Sequence, residues 1–193
     1  MALLLPIDEL NRFTDKVNSY ISSAKQKADD DAALLACLEE LEDEFLFLLM
    51  GCLEMGVDHA NDALGSSVSM DTDEQNDIIF RKVDGKDWQE RWREHFEDGT
   101  ESDVPTLILT ESHRVMNEAA LEAAEKSGCE WYKTWVSVGD DRVRDTHVYL
   151  DGMKIPGDAM FYVSEDVYAP APGLFGVPEE DCNCRCGLKI TAE

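Results

Sequence analysis

The fold is decided by the sequence Asp141-Arg-Val-Arg-Asp-Thr-His147 and by two segments that follow it, Leu150-Asp-Gly152 and Asn183-Cys-Arg-Cys186. Charged residues and glycine are too dense in these segments for an ordinary apolar core. An unpaired buried charge costs several kcal/mol, so these side chains must pair with one another or with a ligand. The three segments are therefore the first candidate site.

Short strands are predicted on either side of these segments. Residues 131–138 alternate apolar and polar side chains and are rich in β-formers, which is typical of a half-buried strand, and Gly139-Asp-Asp141 supplies a turn. Asp151-Gly152 is typical of a hairpin turn. Further strands are predicted at 148–150 or 153–155, at 160–163 and at 187–190. The C-terminal part therefore predicts a small, mostly antiparallel sheet, interrupted by an irregular Pro- and Gly-rich loop over residues 169–178.

Helical periodicity dominates the first third of the chain. Apolar residues recur at steps of three and four from Pro6 to about Lys27, and again from Leu34 to Met55, with Asp29-Asp-Asp31 as a cap between the two helices. The second helix contains six consecutive apolar residues, which must be covered either by the chain's own bundle or by a partner protein. These residues are Phe45, Leu46, Phe47, Leu48, Leu49 and Met50.

Polar turn-forming residues fill the next stretch, so residues 65–80 are predicted to be a linker or an exposed loop. This divides the chain into a helical arm (1–64), the linker, and a region of helices plus an α+β module (81–193). Within the last region, Asp87-x-x-Glu90 predicts a capped short helix whose two tryptophans anchor a core.

A longer helix is predicted after Val104-Pro105, capped by Thr106 and ending near Gly128. Along it, Glu111 and Arg114 have the spacing of an i,i+3 pair.

The charge and cysteine content narrow the function. The chain has 17 Lys and Arg against 42 Asp and Glu, a net charge of −25, which disfavours direct binding to a DNA backbone. No apolar run approaches the ~20 residues of a membrane span, and the N-terminus lacks the features of a signal peptide. The six cysteines do not form the evenly spaced framework of a secreted disulfide protein. We therefore expect a soluble protein made in a reducing cytoplasm, without a membrane partner.

Several of these motifs occur together in one known family. The segments WVSVGDDRVRDTHVYLDGMKIP and DCNCRC, preceded by Thr110-Glu-Ser-His-Arg114, resemble the C-terminal module of the phage Mu protein F-like family, the minor head proteins of tailed bacteriophages. The resemblance covers roughly residues 105–190.

The resemblance implies an α+β fold similar to that of ADP-ribosyltransferases and a structural role without a cofactor. Such a protein would associate with the phage portal and with major capsid or scaffold proteins during assembly and DNA packaging. It would be found in the procapsid or virion, assembled in the cytoplasm of the bacterial host.

Under this interpretation the charged motif is a structural network that ties the last strand to the central turn. Arg142 or Arg144 would pair with Asp145 or Asp151, and Arg185 would reach the same carboxylates. The predicted network comprises Asp141, Arg142, Arg144, Asp145, His147, Asp151, Gly152, Asn183 and Arg185.

Two other functions of the same residues stay open. Cys182, Cys184 and Cys186 could bind zinc together with His147, although thiols one residue apart on a strand favour buried reduced cysteines instead. A phage-borne ADP-ribosyltransferase-like effector would need an Arg or His to hold NAD and a Glu to stabilise the transition state. Its candidates are Arg142 or His147 with Glu165 or Glu179, none of them in a diagnostic Glu-x-Glu motif.

Overall fold

A computed structural model describes residues 1–26, 31–98 and 100–192. The cap predicted at 29–31 lies outside the described side chains. The helices are α1 (Ile7–Gln26), α2 (Asp31–Leu64), α3 (Thr72–Ile79), α4 (Trp88–Glu97), α5 (Val104–Lys126), α6 (Asp145–Leu150) and α7 (Pro178–Asp181). The strands are β1 (Trp131–Val136), β2 (Lys154–Pro156), β3 (Phe161–Tyr162), β4 (Tyr168–Ala169) and β5 (Gly187–Ala192). The predicted α+β class is confirmed.

The sheet is small and antiparallel. Strand β1 lies between β2 and β5, and β3 pairs with β4 in a separate hairpin. The N-terminus extends the sheet, because the Leu3 amide donates to the Leu188 carbonyl at 2.7 Å and the Leu188 amide donates back at 3.3 Å. Residues from the two ends of the chain are therefore held together by backbone hydrogen bonds.

Helices α2 and α5 are in close contact at Gly56. A Cβ atom at this position would lie 2.2 Å from the Met116 carbonyl oxygen and 2.9 Å from the Ala120 amide nitrogen. Ala119 and Ala123 on the same helix are fully buried. The small side chains let the two backbones approach, so one core is shared by the predicted arm and the predicted module.

An aromatic cluster covers part of the apolar segment of α2. The Phe45 ring lies 5.7 Å from Phe13 on α1, 5.1 Å from Trp88 and 5.5 Å from Trp92, centroid to centroid. Phe45, Leu49 and both tryptophans are fully buried. The tryptophans are thus core anchors, and the chain's own α1 and α4 cover this face of α2.

Buried Arg114 joins α3 to α5. Its guanidinium donates to Glu111 at 3.0 Å and to Glu118 at 2.9 Å, which confirms the i,i+3 pair expected from the sequence. It also donates to the carbonyls of Ile78 at 2.7 Å and Ile79 at 3.0 Å. These carbonyls lie at the C-terminus of α3, where backbone acceptors lack partners within the helix.

The predicted loop over residues 65–80 is wrong for residues 72–79, which form α3. Asp71 and Glu74 build a capping box at its start, and Ile78 and Ile79 are buried at its end. The Asp-x-x-Glu pattern was present in the sequence, but the apolar stripe is too short for periodicity to reveal it. The division of the chain at this stretch into separate regions stays a prediction.

Two element boundaries also differ from the predictions. Helix α5 begins at Val104 rather than after Thr106, because proline is tolerated in the first turn of a helix. Residues 148–150 belong to helix α6, so of the two alternatives the strand at 153–155 corresponds to β2. Gly152, with φ 76°, turns the chain from α6 into β2 and does not form a two-residue hairpin. Among the described residues, no helix combines the length and apolarity that crossing a bilayer would require.

The contact at Gly56 generates a stability prediction. Gly56→Ala would place a methyl group against backbone atoms, and overpacking of this kind costs about 3 kcal/mol or more. We expect the melting temperature to fall by roughly 6–12 °C, measured by circular dichroism. Gly51→Ala on the same helix is the control, because nothing lies within 4 Å of its added Cβ and alanine favours a helix. Equal melting temperatures for both variants would contradict the close packing of α2 on α5.

Candidate functional site

The candidate site lies where α6, the turn after β1 and the segment before β5 meet. His147 on α6 is 1% exposed, and Cys184 and Cys186 are each 3% exposed. The imidazole ring contacts Trp135 edge-on at 5.1 Å and stacks on Phe175 at 5.9 Å. The walls of this buried group are therefore aromatic.

The imidazole and the two thiols form a compact polar cluster. His147 Nδ1 lies 3.6 Å from the Sγ atoms of both Cys184 and Cys186. Its other nitrogen, Nε2, lies 3.0 Å from Glu180 Oε2, and the same oxygen accepts a hydrogen bond from Thr146 Oγ1 at 3.0 Å. We call His147, Cys184 and Cys186 the His-Cys-Cys cluster.

The two thiols of this cluster differ in acidity. Hydrogen bonding from Cys184, aided by His147, lowers the pKa of Cys186 to about 5 against the opposing effect of burial. The same hydrogen bond, followed by burial, raises the pKa of Cys184. Two thiols this close cannot both ionise readily unless a cation is present.

The arginine part of the predicted network centres on a different aspartate. Arg185 makes a bidentate ion pair with Asp140, with both N···O distances 2.8 Å. Arg142, 74% exposed, lies 3.7 Å from the same carboxylate. The Arg185 hydrogen bonds lower the pKa of Asp140 to about 2. The expected partners were Asp145 and Asp151, so the pairing differs from the prediction.

The other residues of the predicted network make local contacts or are exposed. The Asp151 carboxylate accepts the Ser137 amide at 2.7 Å, and Arg144 donates to the Cys182 carbonyl. Asn183 adopts φ 58°, which bends the segment before β5. Asp145 lies exposed in the first turn of α6, and Asp141 is exposed in the turn after β1.

Residues that the sequence did not single out complete the site. Besides Asp140 and Glu180, Asp181 orders the preceding loop, because its carboxylate accepts the amides of Phe175 at 3.0 Å and Gly176 at 2.7 Å. Acidic residues are so frequent in this chain that no pattern distinguished these three. Only their contacts identify them.

Two buried side chains of helix α5 bind the segments around the site. His113 Nε2 lies 2.8 Å from the Cys186 carbonyl, and burial lowers the pKa of this histidine to about 4, so the neutral ring donates this hydrogen bond. Asn117 donates to the Pro172 carbonyl at 2.9 Å. His113 thus holds the Cys184–Cys186 segment from a position 73 residues before Cys186.

A separate cleft of about 1140 Å³ opens beside α5 and β1. Buried Lys133 lines it, and burial lowers the pKa of its ammonium to about 8. None of the residues considered for NAD chemistry lines this cleft; Arg142, Glu165 and Glu179 are exposed elsewhere, and His147 is in the His-Cys-Cys cluster. Among the described residues, those considered for NAD chemistry therefore lie outside this cleft.

Comparisons with known proteins find a matching family and relatives of this chain. The model of a family described as Phage Mu protein F like protein matches residues 81–189. Minor head protein GP7 of Bacillus phage SPP1 is 36% identical over 81 residues, which are 41% of this chain and 26% of that protein. NAD(+)--arginine ADP-ribosyltransferase EFV of Enterococcus faecalis is 32% identical over 116 residues, 58% of this chain and 24% of that protein. The chain thus spans about a quarter of each relative, and no solved structure matches.

The two arginines near Asp140 generate a second prediction. Arg185→Ala should lower the melting temperature more than Arg142→Ala, because only Arg185 makes the bidentate pair. The folded pKa of Asp140 is about 2 and its ordinary value is 3.8, so the pair stabilises the fold fully above pH 3.8. This contribution is lost as the pH falls through 2. The difference in melting temperature between the wild type and Arg185→Ala should therefore shrink between pH 4 and pH 2. A larger fall in melting temperature for Arg142→Ala than for Arg185→Ala would instead support a network centred on Arg142.

Proposed function

The chain belongs to the phage Mu protein F like family, and from this premise we propose that it is a minor head protein that acts in head morphogenesis of a tailed bacteriophage or prophage. The observation that carries the proposal is the family match over residues 81–189, which extends from just before α4 into β5. This region includes β1 to β4, the first half of β5, the Asp140–Arg185 pair and the His-Cys-Cys cluster. The role we propose is structural, without an enzymatic step.

The partners we propose are the portal protein and the major capsid or scaffold proteins. The chain would be found in procapsids or virions assembled in the host cytoplasm. A net charge of −25 supports contacts with basic protein surfaces and opposes direct contact with DNA phosphates. Assistance in DNA packaging would then act through the portal and not through DNA binding by this chain.

Helix α2 offers a surface for such a partner. Of its six-residue apolar segment, Phe45 and Leu49 are buried and Leu46 and Leu48 are half-buried, whereas Phe47 and Met50 are 72% and 38% exposed. The predicted partner surface is therefore reduced to Phe47 and Met50, one turn apart on the same helix face.

Carboxylates flank this apolar pair. Asp43 and Glu54 are exposed one turn before Phe47 and one turn after Met50. The arrangement suits a partner with an apolar pocket bordered by lysine or arginine, because an apolar centre with a complementary charged rim is typical of specific interfaces.

The enzymatic alternative rests on the name of the Enterococcus faecalis relative. The matched segment is 24% of that protein, and the name does not say which part carries the activity. Incubation of this chain with NAD should leave NAD unconsumed. Turnover that disappears in Glu165→Ala or Arg142→Ala would instead support the effector function.

The head role predicts that the protein is present in particles at a few copies each. Quantitative mass spectrometry of purified procapsids and virions from the encoding phage should detect it, and the portal should retain it in a pull-down. Phe47→Ser should weaken retention about tenfold or more, the equivalent of ~1.4 kcal/mol, without lowering the melting temperature.

Tyr149→Ser is the matched control, because Tyr149 is an aromatic residue of similar exposure, 73%, on α6. A loss of retention in this variant alone would move the docking surface from α2 to the module. Absence of the protein from both procapsids and virions would contradict the head role itself.

A further inference from the structure

The His-Cys-Cys cluster has the composition of a metal site, and nothing in the head role requires it. Its three donor atoms, one imidazole nitrogen and two thiol sulfurs, lie within 4.8 Å of one another, and all three residues are buried. We propose that His147 Nδ1, Cys184 Sγ and Cys186 Sγ bind one zinc ion that has a structural role.

The distances fit tetrahedral zinc. Zinc bonds of about 2.3 Å to sulfur and about 2.0–2.1 Å to nitrogen, at tetrahedral angles, place the nitrogen and sulfur donors about 3.6 Å apart. His147 Nδ1 lies 3.6 Å from each of the two sulfurs. These two nitrogen–sulfur distances are therefore those of a tetrahedral site, and the two sulfurs lie within 4.8 Å of each other.

The second nitrogen of the imidazole lies beside a carboxylate, the kind of partner that a zinc-bound histidine uses. Nε2 is 3.0 Å from Glu180 Oε2 but makes no hydrogen bond in this arrangement. A small rotation would let Nε2–H donate to Glu180 and leave the lone pair of Nδ1 for the ion. Thr146 in turn donates to the same Glu180 oxygen at 3.0 Å. A carboxylate that orients the histidine is the usual second shell of a zinc site.

The charge balance also favours a divalent ion. Two thiolates, a neutral imidazole and Zn²⁺ sum to zero, whereas two thiolates alone would leave buried, uncompensated charge. A soft set of two sulfurs and one nitrogen selects zinc over magnesium or calcium, which prefer oxygen ligands. Binding would release the thiol protons to solvent.

The fourth ligand would be water and not Cys182. A cavity of about 10 Å³ is lined by all three residues of the His-Cys-Cys cluster and by the Asn183 bend, which is about the space of a single water. Cys182 is only half-buried and is not part of the group of close donor atoms. The expectation that the three cysteines lie on one side of an extended strand is wrong, because β5 begins at Gly187 and the chain bends at Asn183.

The test is metal analysis of the full chain purified without a chelator. Inductively coupled plasma mass spectrometry should find about one zinc per wild-type chain. Cys186→Ser and Cys184→Ser should lose the ion, while Cys129→Ser, which changes an exposed cysteine outside the cluster, should retain it. A strong chelator should lower the melting temperature of the wild type, and added zinc should restore it.

Glu180→Gln keeps all three ligands, so it tests the site even if the cysteine variants fail to fold. It should bind zinc 10–100-fold more weakly in a chelator competition, because the imidazole loses its carboxylate partner. A wild-type chain that takes up no zinc, copper in place of zinc, or a Cys186→Ser variant that keeps its zinc would each overturn the proposal. So would a disulfide between Cys184 and Cys186, detected by intact mass in freshly purified protein.

Discussion

Helix α2 can lie against α5 only because residue 56 is glycine, since a Cβ there would be 2.2 Å from the Met116 carbonyl oxygen. Alanines on α5 provide the opposite half of this contact. A backbone approach this close excludes water over the length of the contact and makes one core from residues that are far apart in the sequence. The positions of the other elements depend on it.

The other faces of α5 carry the groups that fix the rest of the structure. Arg114 binds the end of α3, and His113 and Asn117 bind carbonyls in the segments that surround the sheet. These side chains are buried, so the hydrogen bonds that they make are costly to lose. A single helix thereby positions α2, α3 and the module, and a disturbance at Gly56 would be transmitted to the site.

The module separates two kinds of polar interaction. The Asp140–Arg185 pair is partly exposed and joins the turn after β1 to the segment before β5. The His-Cys-Cys cluster is buried beside Trp135 and Phe175, where a charge interacts more strongly with its partners than at the surface.

The sequence by itself determined the α+β class, the helices α1, α2, α4 and α5, the central strand β1 and the family, because these depend on periodicity, caps and ordered motifs within short windows. It also placed Glu111 beside Arg114, since i,i+3 neighbours on a helix are adjacent by geometry. Only the tertiary structure decided that Arg185 pairs with Asp140 across 45 residues and that His147 meets Cys184 and Cys186 without Cys182. It also decided between the two alternatives for the second strand, because residues 148–150 lie in α6. Several equivalent carboxylates and thiols were available for each of these contacts. The bend at Asn183 and the packing on α5 determine which of them come within reach.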